Sequence, residues 1–211
     1  MEMLTPNHWN SWDRFYTANF INSLTGFKSA TLIGSVNEQG VTNLSIFSSI
    51  VHLGSNPALI GYINRPEAAS PHTLSNIRST GFYTMNHITE SFVDKAHQSS
   101  AKYPEGVSEF EEVGLTPHFE KGFIAPFVKE SQLKFMLSLQ DIIPIQLNNT
   151  FLVIGKLEFV LAEDAAISSD GLLQLDKMNS ISCNGSNAYY ATNLIDRFEY
   201  AKPDLPIRKL I

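Results

Sequence analysis

Residues 41–86 read VTNLSIFSSIVHLGSNPALIGYINRPEAASPHTLSNIRSTGFYTMN, and this stretch decides the fold. Two of its runs are rich in β-branched and aromatic residues, which is typical of strands, and turn-forming residues separate them. A short helix with a strong start signal follows, and after it the chain becomes strand-like again. The predicted elements are, in order, strand 41–51, a turn at Asn56-Pro57, strand 58–63, helix 71–79 and strand 82–86. Strands joined by tight turns with few helices favour an antiparallel sheet.

The start of the predicted helix carries the features of an anion site. Ser70 can cap the helix, Pro71 suits its first position, and Thr73 lies in the first turn. Backbone N–H groups without partners and the positive end of the helix dipole both favour an anion there. Arg65, just upstream, adds a planar fork of donors. The sequence therefore predicts a phosphate held between Arg65 and residues 70–73, while the alternative is that Ser-Pro marks only a helix start.

Outside this stretch the chain alternates between strand patterns and short helices. Apolar residues at every fourth position predict a helix over residues 11–25, and Ser108 with Glu111 forms a capping-box pattern for a helix over 108–113. The remaining predictions are strand 29–36, turn 37–40, a helix over 89–100 capped by Thr89, a strand in which Leu133, Phe135, Leu137 and Leu139 alternate with other residues, an edge or bulge at Pro144, a turn at Asn148-Asn149, strand 151–161 and a turn at Gly171. This content predicts a mainly β protein with helical additions, built on an antiparallel β-barrel.

Composition and charge restrict the class of protein. The chain has 211 residues, of which 43% are hydrophobic, and this suits one domain with a substantial core. Its net charge is −6 and it has no dense cluster of Lys and Arg, so nucleic-acid binding is not expected. The single cysteine, Cys183, excludes an intrachain disulfide. The first residues lack a signal-peptide pattern and no apolar stretch reaches about 18 residues, so we expect no membrane span and a cytoplasmic location.

Motifs for several other chemistries do not occur in the sequence. The six histidines show no metal-ligand spacing and Cys183 has no assignable histidine partner, so neither a metal site nor a catalytic residue is predicted. The patterns GxSxG, GxGxxG and GxxxxGK[ST] are absent. The sequence therefore supports neither an α/β-hydrolase, nor a Rossmann-type dinucleotide domain, nor a P-loop enzyme.

Several short motifs follow one another in a recognisable order. A strand reads Asn43-Leu44-Ser45-Ile46-Phe47-Ser48-Ser49, and the helix after it carries Thr73-Leu74-Ser75-Asn76-Ile77. Later segments in the series are Met85-Asn86, SEFEEVGL at 108–115, PFVKESQLKFMLSL at 126–139, GKLEFVLAED at 155–164, DGLLQLDKM at 170–178, and Gly185 with Tyr189-Tyr190. Together they resemble the flavin reductase-like family, whose fold is the FMN-binding split barrel. The order and spacing of the motifs, over roughly residues 28–190, make this resemblance specific.

The resemblance implies an antiparallel split β-barrel as a single domain over residues 1–211, with residues 1–27 as an N-terminal helical extension. It also implies a homodimer that binds FMN, with FAD as an alternative, and that takes electrons from NADH or NADPH. Hydride transfer from nicotinamide to flavin is chemistry of the cofactors, so the protein needs no catalytic acid or base. The candidate flavin-binding residues are Asn43, Ser45, Ile46, Phe47, Ser48, Ser49, Arg65, Ser70, His72, Thr73 and Lys102.

The sequence departs from the family pattern at two places. Pro71-His72 stand where many members have Lys-Asp, and Ser45-Ile46 stand where many have Ala-Pro. His72 can still donate a hydrogen bond, more strongly when it is protonated. Lys102 and His97, beside the end of helix 89–100, are lesser candidates for contact with cofactor charge. Two alternatives stay open: a flavin-binding electron carrier of the flavoredoxin type, and a β-barrel interaction module that binds no flavin. An electron-acceptor protein is a further candidate partner.

Overall fold

The computed structural model describes residues 1, 3–67 and 71–210, and most of its regular structure is β. The strands are β1 (Lys28–Ser29), β2 (Thr31–Val36), β3 (Thr42–Phe47), β4 (Ile50–Ser55), β5 (Ala58–Asn64), β6 (Phe82–His87), β7 (Pro117–His118), β8 (Phe127–Val128), β9 (Lys134–Ile145), β10 (Thr150–Leu161), β11 (Ser182–Asn184) and β12 (Ala188–Tyr190). The helices are α1 (Pro6–Trp9), α2 (Arg14–Ser23), α3 (Pro71–Thr80), α4 (Val93–Gln98) and α5 (Glu109–Val113), with short 3₁₀ turns at Glu90–Phe92 and Asp164–Ala166. Within the described ranges, no helix is long and apolar enough to span a bilayer.

The central sheet has seven antiparallel strands in the order β3-β2-β6-β9-β10-β5-β4. Its two outer strands, β3 and β4, follow one another in the chain, and only Ser48 and Ser49 separate them. The sheet therefore curls until its two edges meet at this corner. There the Ile63 N–H of β5 donates to the Ser49 carbonyl at 3.1 Å. The prediction of a mainly β protein with an antiparallel barrel is confirmed.

The predicted strand 41–51 is wrong in one respect, because the chain forms two strands there. The break at Ser48 and Ser49 turns the backbone from one edge of the barrel to the other. The rings of Phe47 and Tyr62 pack edge to face at 4.9 Å between centroids, just inside this corner. The corner cannot be predicted from the sequence, because serine is compatible with both an extended strand and a sharp bend.

The predicted turns between strands are confirmed. Gly40 closes the β2–β3 hairpin with a φ of 83°, a conformation that glycine adopts without strain. Asn37 Oδ1 accepts hydrogen bonds from the N–H groups of Gln39 and Val41 in the same turn. Asn149, with a φ of 57°, makes the β9–β10 turn. Pro144 lies in the half of β9 that extends beyond β6. No β6 backbone faces Pro144, so the proline, which has no N–H, costs no hydrogen bond to β6.

Three predicted helices differ in detail from the observed ones. The helix expected over 11–25 begins later, because Asp13 caps α2 by accepting hydrogen bonds from Phe15 and Tyr16 N–H. The helix expected over 89–100 is a 3₁₀ turn followed by α4, and Thr89 bonds to Ser91 Oγ instead of capping. The capping box expected at Ser108 does not form, since its hydroxyl bonds to Thr42.

Two buried clusters fill the space on either side of β3. One contains Leu44 and the apolar faces of α4 and α5. The other lies inside the barrel and includes Tyr62 and Tyr83, together with Leu74 and Ile77 from α3. Side chains alternate between the two faces of a strand. Leu44 and Ile46 therefore share one face of β3 and pack in the first cluster, while Phe47 lies on the other face and packs against the second. The backbone of β3 is thus held from both sides as it approaches the corner.

The N-terminal helix α2 does not join either cluster. None of its residues is buried, and Phe15 is 75% exposed. Trp12 makes edge-to-face contacts with Tyr16 and Phe20, so the aromatic side chains of this segment pack mainly on one another. The segment therefore leaves an apolar surface uncovered in the single chain.

The imidazole of His87, at the end of β6, is largely buried, and we expect it to make the stability of the fold depend on pH. Burial lowers its pKa to about 4, and its Nδ1 lies 2.7 Å from Ser180 Oγ. In the unfolded chain a histidine titrates near ~6.5, so between those two values the unfolded state binds more protons. We expect the free energy of unfolding to fall by about 2.5 kcal/mol as the pH drops from about 6.5 to 4, measured by urea unfolding. His87→Gln should lose most of this slope, and an unchanged slope in that variant would assign it to other groups.

Candidate functional site

A cavity of about 320 Å³ opens at the corner where β3 turns into β4. Residues 45–49 form one wall and supply three serine hydroxyls with the apolar side chains of Ile46 and Phe47. The full lining is Asn22, Lys28, Ser45, Ile46, Phe47, Ser48, Ser49, Ile63, Arg65, Ser100, Cys183, Gly185, Ser186 and Tyr189. Apolar surface beside hydroxyls suits a flat heteroaromatic ligand with several hydrogen-bonding atoms.

Two cationic side chains lie at this cavity. Arg65 is exposed directly after β5, and Asn64 Nδ2 donates to the Arg65 carbonyl at 2.7 Å, which fixes the backbone at this position. Lys28 Nζ donates to the Asn22 carbonyl at 2.6 Å and to Thr25 Oγ1 at 2.9 Å. Lys28 thereby ties the end of α2 to the cavity. Two cations at one opening favour a ligand that carries negative charge.

The wall formed by β11 and β12 carries no charge near neutral pH. Burial raises the pKa of the Cys183 thiol and that of the Tyr189 phenol. Tyr189 Oη lies 2.8 Å from His97 Nδ1, at the outer end of α4. A thiol with a raised pKa is a poor nucleophile, so this wall offers contact surface and hydrogen bonds rather than covalent chemistry.

The structure brings together six of the residues that the sequence nominated. Ser45, Ile46, Phe47, Ser48, Ser49 and Arg65 all line the corner cavity. Lys102 is exposed in the segment after α4 and lies outside the cavity lining. Ser70 lies outside the described residues. The corner cavity is therefore the part of the molecule where the predicted site is best assembled.

The other three nominated residues lie further along β3 and on α3. Asn43 Nδ2 donates to Thr73 Oγ1 at 3.1 Å, and both side chains are buried, Thr73 being 1% exposed. This bond joins the start of α3 to β3. Asn43 and His72 also line a second cavity of about 210 Å³, bounded by the β2–β3 turn and residues 104–107. Contact of Asn43, His72, Thr73 and Lys102 with a flavin stays a prediction.

Sequence reasoning missed the far wall of the corner cavity. Lys28, Asn22 and Cys183 are distant from residues 45–49 in the chain, and no periodic pattern links them. Gly185 and Tyr189 belonged to the motif series, and their place in it was the only sequence signal for this wall. In the described part of the chain, no group of three or more His, Cys, Asp or Glu side chains could hold a metal ion.

The fold and the corner cavity together define a barrel protein with a candidate ligand site at the junction of its sheet edges. A sequence model of the flavin reductase like domain matches residues 25–180. The chain therefore belongs to the flavin reductase-like family, and the predicted split barrel is confirmed.

Solved structures agree with this assignment. A protein of Shewanella frigidimarina NCIMB 400, assigned as a flavin reductase with a split barrel domain, is 44% identical, with a TM-score of 0.92 over 95% of this chain and 100% of that one. Nitrilotriacetate monooxygenase component B from Bacillus cereus has the same fold at 21% identity, with a TM-score of 0.79 over 95% and 98% of the two chains. Flavoredoxin of Desulfovibrio vulgaris (Miyazaki F) is similar at 22% identity, with a TM-score of 0.70 over 85% and 92%.

The side chains at the corner fit a flavin, which the family implies as cofactor or substrate. A flavin offers an apolar ring system, carbonyl and nitrogen acceptors along one edge, and a polar ribityl chain, which in the flavin nucleotides ends in a phosphate. The cavity has matching groups in Phe47 and Ile63, in three serine hydroxyls, and in Lys28 and Arg65. Each chemical part of the ligand therefore has a complementary group in the lining.

Proposed function

We propose that this chain is an FMN-binding oxidoreductase that uses NADH or NADPH as electron donor. The observation that carries the proposal is the corner cavity, where apolar surface, serine hydroxyls and two cations surround one opening. Membership of the flavin reductase-like family supports the choice of a flavin over other flat ligands.

The roles of the residues follow from their chemistry. Arg65 and Lys28 would hold the phosphate, since a guanidinium and an ammonium both donate charged hydrogen bonds. The hydroxyls of Ser45, Ser48 and Ser49 would orient the ring edge and the ribityl chain, while Phe47 would contact the ring. When bound, the flavin supplies the hydride-accepting chemistry, and the protein supplies binding and orientation. The neutral thiol of Cys183 in the cavity lining is consistent with this division, because no covalent step is required.

A homodimer is part of the proposal. Phe27 is 66% exposed and packs edge to face on Tyr190, next to the cavity residue Tyr189. Asn22 at the end of α2 lines the same cavity, and Leu24 beside it is 64% exposed. A second copy that covered this apolar surface would thus also border the flavin site. Light scattering on the purified protein measures the mass directly, and a monomer would remove this part of the proposal.

Flavin titration of the purified protein tests the central claim. Quenching of FMN fluorescence on addition of protein should rise with protein concentration and saturate. Oxidation of NADH and of NADPH in the presence of excess FMN is then followed by absorbance. Tight FMN binding without nicotinamide oxidation would favour an electron carrier of the flavoredoxin type. Absence of FMN binding would favour a β-barrel interaction module.

A further inference from the structure

The free edge of β3 leads straight into the corner cavity. Strand β3 is one of the two outer strands of the sheet, so among the residues that the structure describes no strand pairs with one side of its backbone. The N–H of Leu44 bonds to a side chain, Glu109 Oε2, at 3.0 Å. In an antiparallel pair the N–H and C=O of alternate residues point the same way, so the peptide groups of Ile46 also point away from β2. Ile46 is also a lining residue of the cavity, so this outward N–H and C=O pair of the strand edge lies beside the candidate site.

Ser108 and Glu109, at the start of α5, hold β3 at two positions. Thr42 Oγ1 and Ser108 Oγ lie 2.6 Å apart, within hydrogen-bonding distance. The Glu109 carboxylate accepts a hydrogen bond from the Leu44 N–H, which points away from β2. Glu109 is only 6% exposed. Burial raises the pKa of its carboxyl, while hydrogen bonds from the N–H groups of Leu44 and of Glu109 itself oppose that rise. A buried carboxylate is costly unless it is hydrogen-bonded. Breaking its bond to the Leu44 N–H would therefore be unfavourable, and this holds β3 in place.

We propose that Glu109 is a positioning residue for the flavin: its carboxylate anchors β3 at Leu44 and thereby sets the place of the Ile46 peptide in the cavity wall. This inference rests on the proposed function. The outward N–H of Leu44 is bonded to Glu109. The outward peptide groups of Ile46, two residues further along the same edge, would then bind the ligand. The anchor also resists sliding of β3, because a shift would break the bond to Leu44. Glu109 itself lies outside the cavity lining and acts through the strand.

The test compares Glu109→Ala and Glu109→Gln with wild type in FMN titrations and in the visible absorption spectrum of the bound flavin. Glu109→Ala leaves the Leu44 N–H without its acceptor and lets β3 shift, so we expect FMN affinity to fall about tenfold or more, as for the loss of one hydrogen bond between the flavin and the displaced Ile46 peptide. The flavin bands should also shift, because the polar contacts at the ring edge change. Glu109→Gln keeps a carbonyl oxygen that accepts from Leu44, so its affinity should stay within about threefold of wild type.

Val113→Ala is the matched control, because Val113 is buried in the same helix and makes no bond to the β3 edge. It should lower the melting temperature while leaving FMN affinity and the flavin spectrum unchanged at a temperature where both variants are folded. Equal losses of affinity in Val113→Ala and Glu109→Ala would overturn the inference, as would wild-type affinity in Glu109→Ala. Absence of FMN binding by the wild type would overturn the proposed function together with the inference, so the two failures are distinguishable.

Discussion

Gly34→Ala should lower the free energy of unfolding by about 3 kcal/mol or more, the largest stability effect we expect from removing a single glycine. A Cβ at this position would lie 2.2 Å from the Pro126 carbonyl oxygen and 2.6 Å from Thr84 Oγ1. The first of these atoms is backbone, so it has little freedom to move away. For a chain of this size the melting temperature should drop by about 6–12 °C, measured by circular dichroism or calorimetry.

The clash would also break a buried network that ties β8 to the barrel. Thr84 Oγ1 donates to the Pro126 carbonyl at 2.6 Å. Asn86 donates through Nδ2 to Thr84 Oγ1, and its Oδ1 accepts from the Val128 N–H at 2.9 Å. These groups are buried, so displacing one of them leaves others without partners, at about 1–3 kcal/mol for each. Steric overlap and lost hydrogen bonds therefore act in the same direction.

Gly54→Ala serves as the control for this prediction. Gly54 also lies in a strand, but the nearest atom to an added Cβ is the Pro57 carbonyl oxygen, at an ordinary contact distance of 3.5 Å. Its melting temperature should stay within about 2 °C of wild type, because neither overlap nor a lost bond is expected. Similar losses in the two variants would mean that close approach at Gly34 is not the cause.

The sequence predicts the parts of this fold whose determinants are local. Gly40 and Asn149 mark their hairpins because few residue types adopt positive φ, and the apolar run at β5 marks a buried strand. No residue type at Ser48 and Ser49 indicates the corner, since serine is compatible with both a strand and a bend. It is nevertheless the feature that closes the barrel and forms the cavity.

In the candidate site, likewise, the residues that lie together in the sequence can be predicted, and those that are distant in the sequence cannot. One wall is a continuous segment, so a short motif over residues 45–49 is enough to nominate it. Further lining residues come from 183–189, and Lys28 comes from a third region. Glu109 falls within the predicted helix 108–113, a pattern that does not indicate the bond between its carboxylate and β3. Such pairings depend on how the barrel closes, which no local pattern encodes.

Arg65→Glu should weaken FMN binding by about 100-fold or more, the largest effect on ligand affinity that we expect from one substitution. The variant removes charged hydrogen bonds to the phosphate, worth about 1.5–3 kcal/mol, and places a negative charge beside it. Arg65 is exposed and the structure assigns it no ion pair within the described ranges, so its loss should leave the melting temperature close to that of wild type. Titration by fluorescence quenching measures the affinity.

Lys121→Glu makes the same change in net charge at an exposed turn outside the cavity lining. It separates a specific contact from a general repulsion of the anionic ligand, because long-range effects are screened at about 0.15 M salt. Riboflavin, which lacks the phosphate, provides a second comparison: its affinity should be nearly the same for wild type and Arg65→Glu. A large loss of riboflavin affinity would place Arg65 at the ring instead, and unchanged FMN affinity would remove Arg65 from the site. Only loss of FMN affinity with riboflavin affinity preserved supports a phosphate held at this end of the cavity.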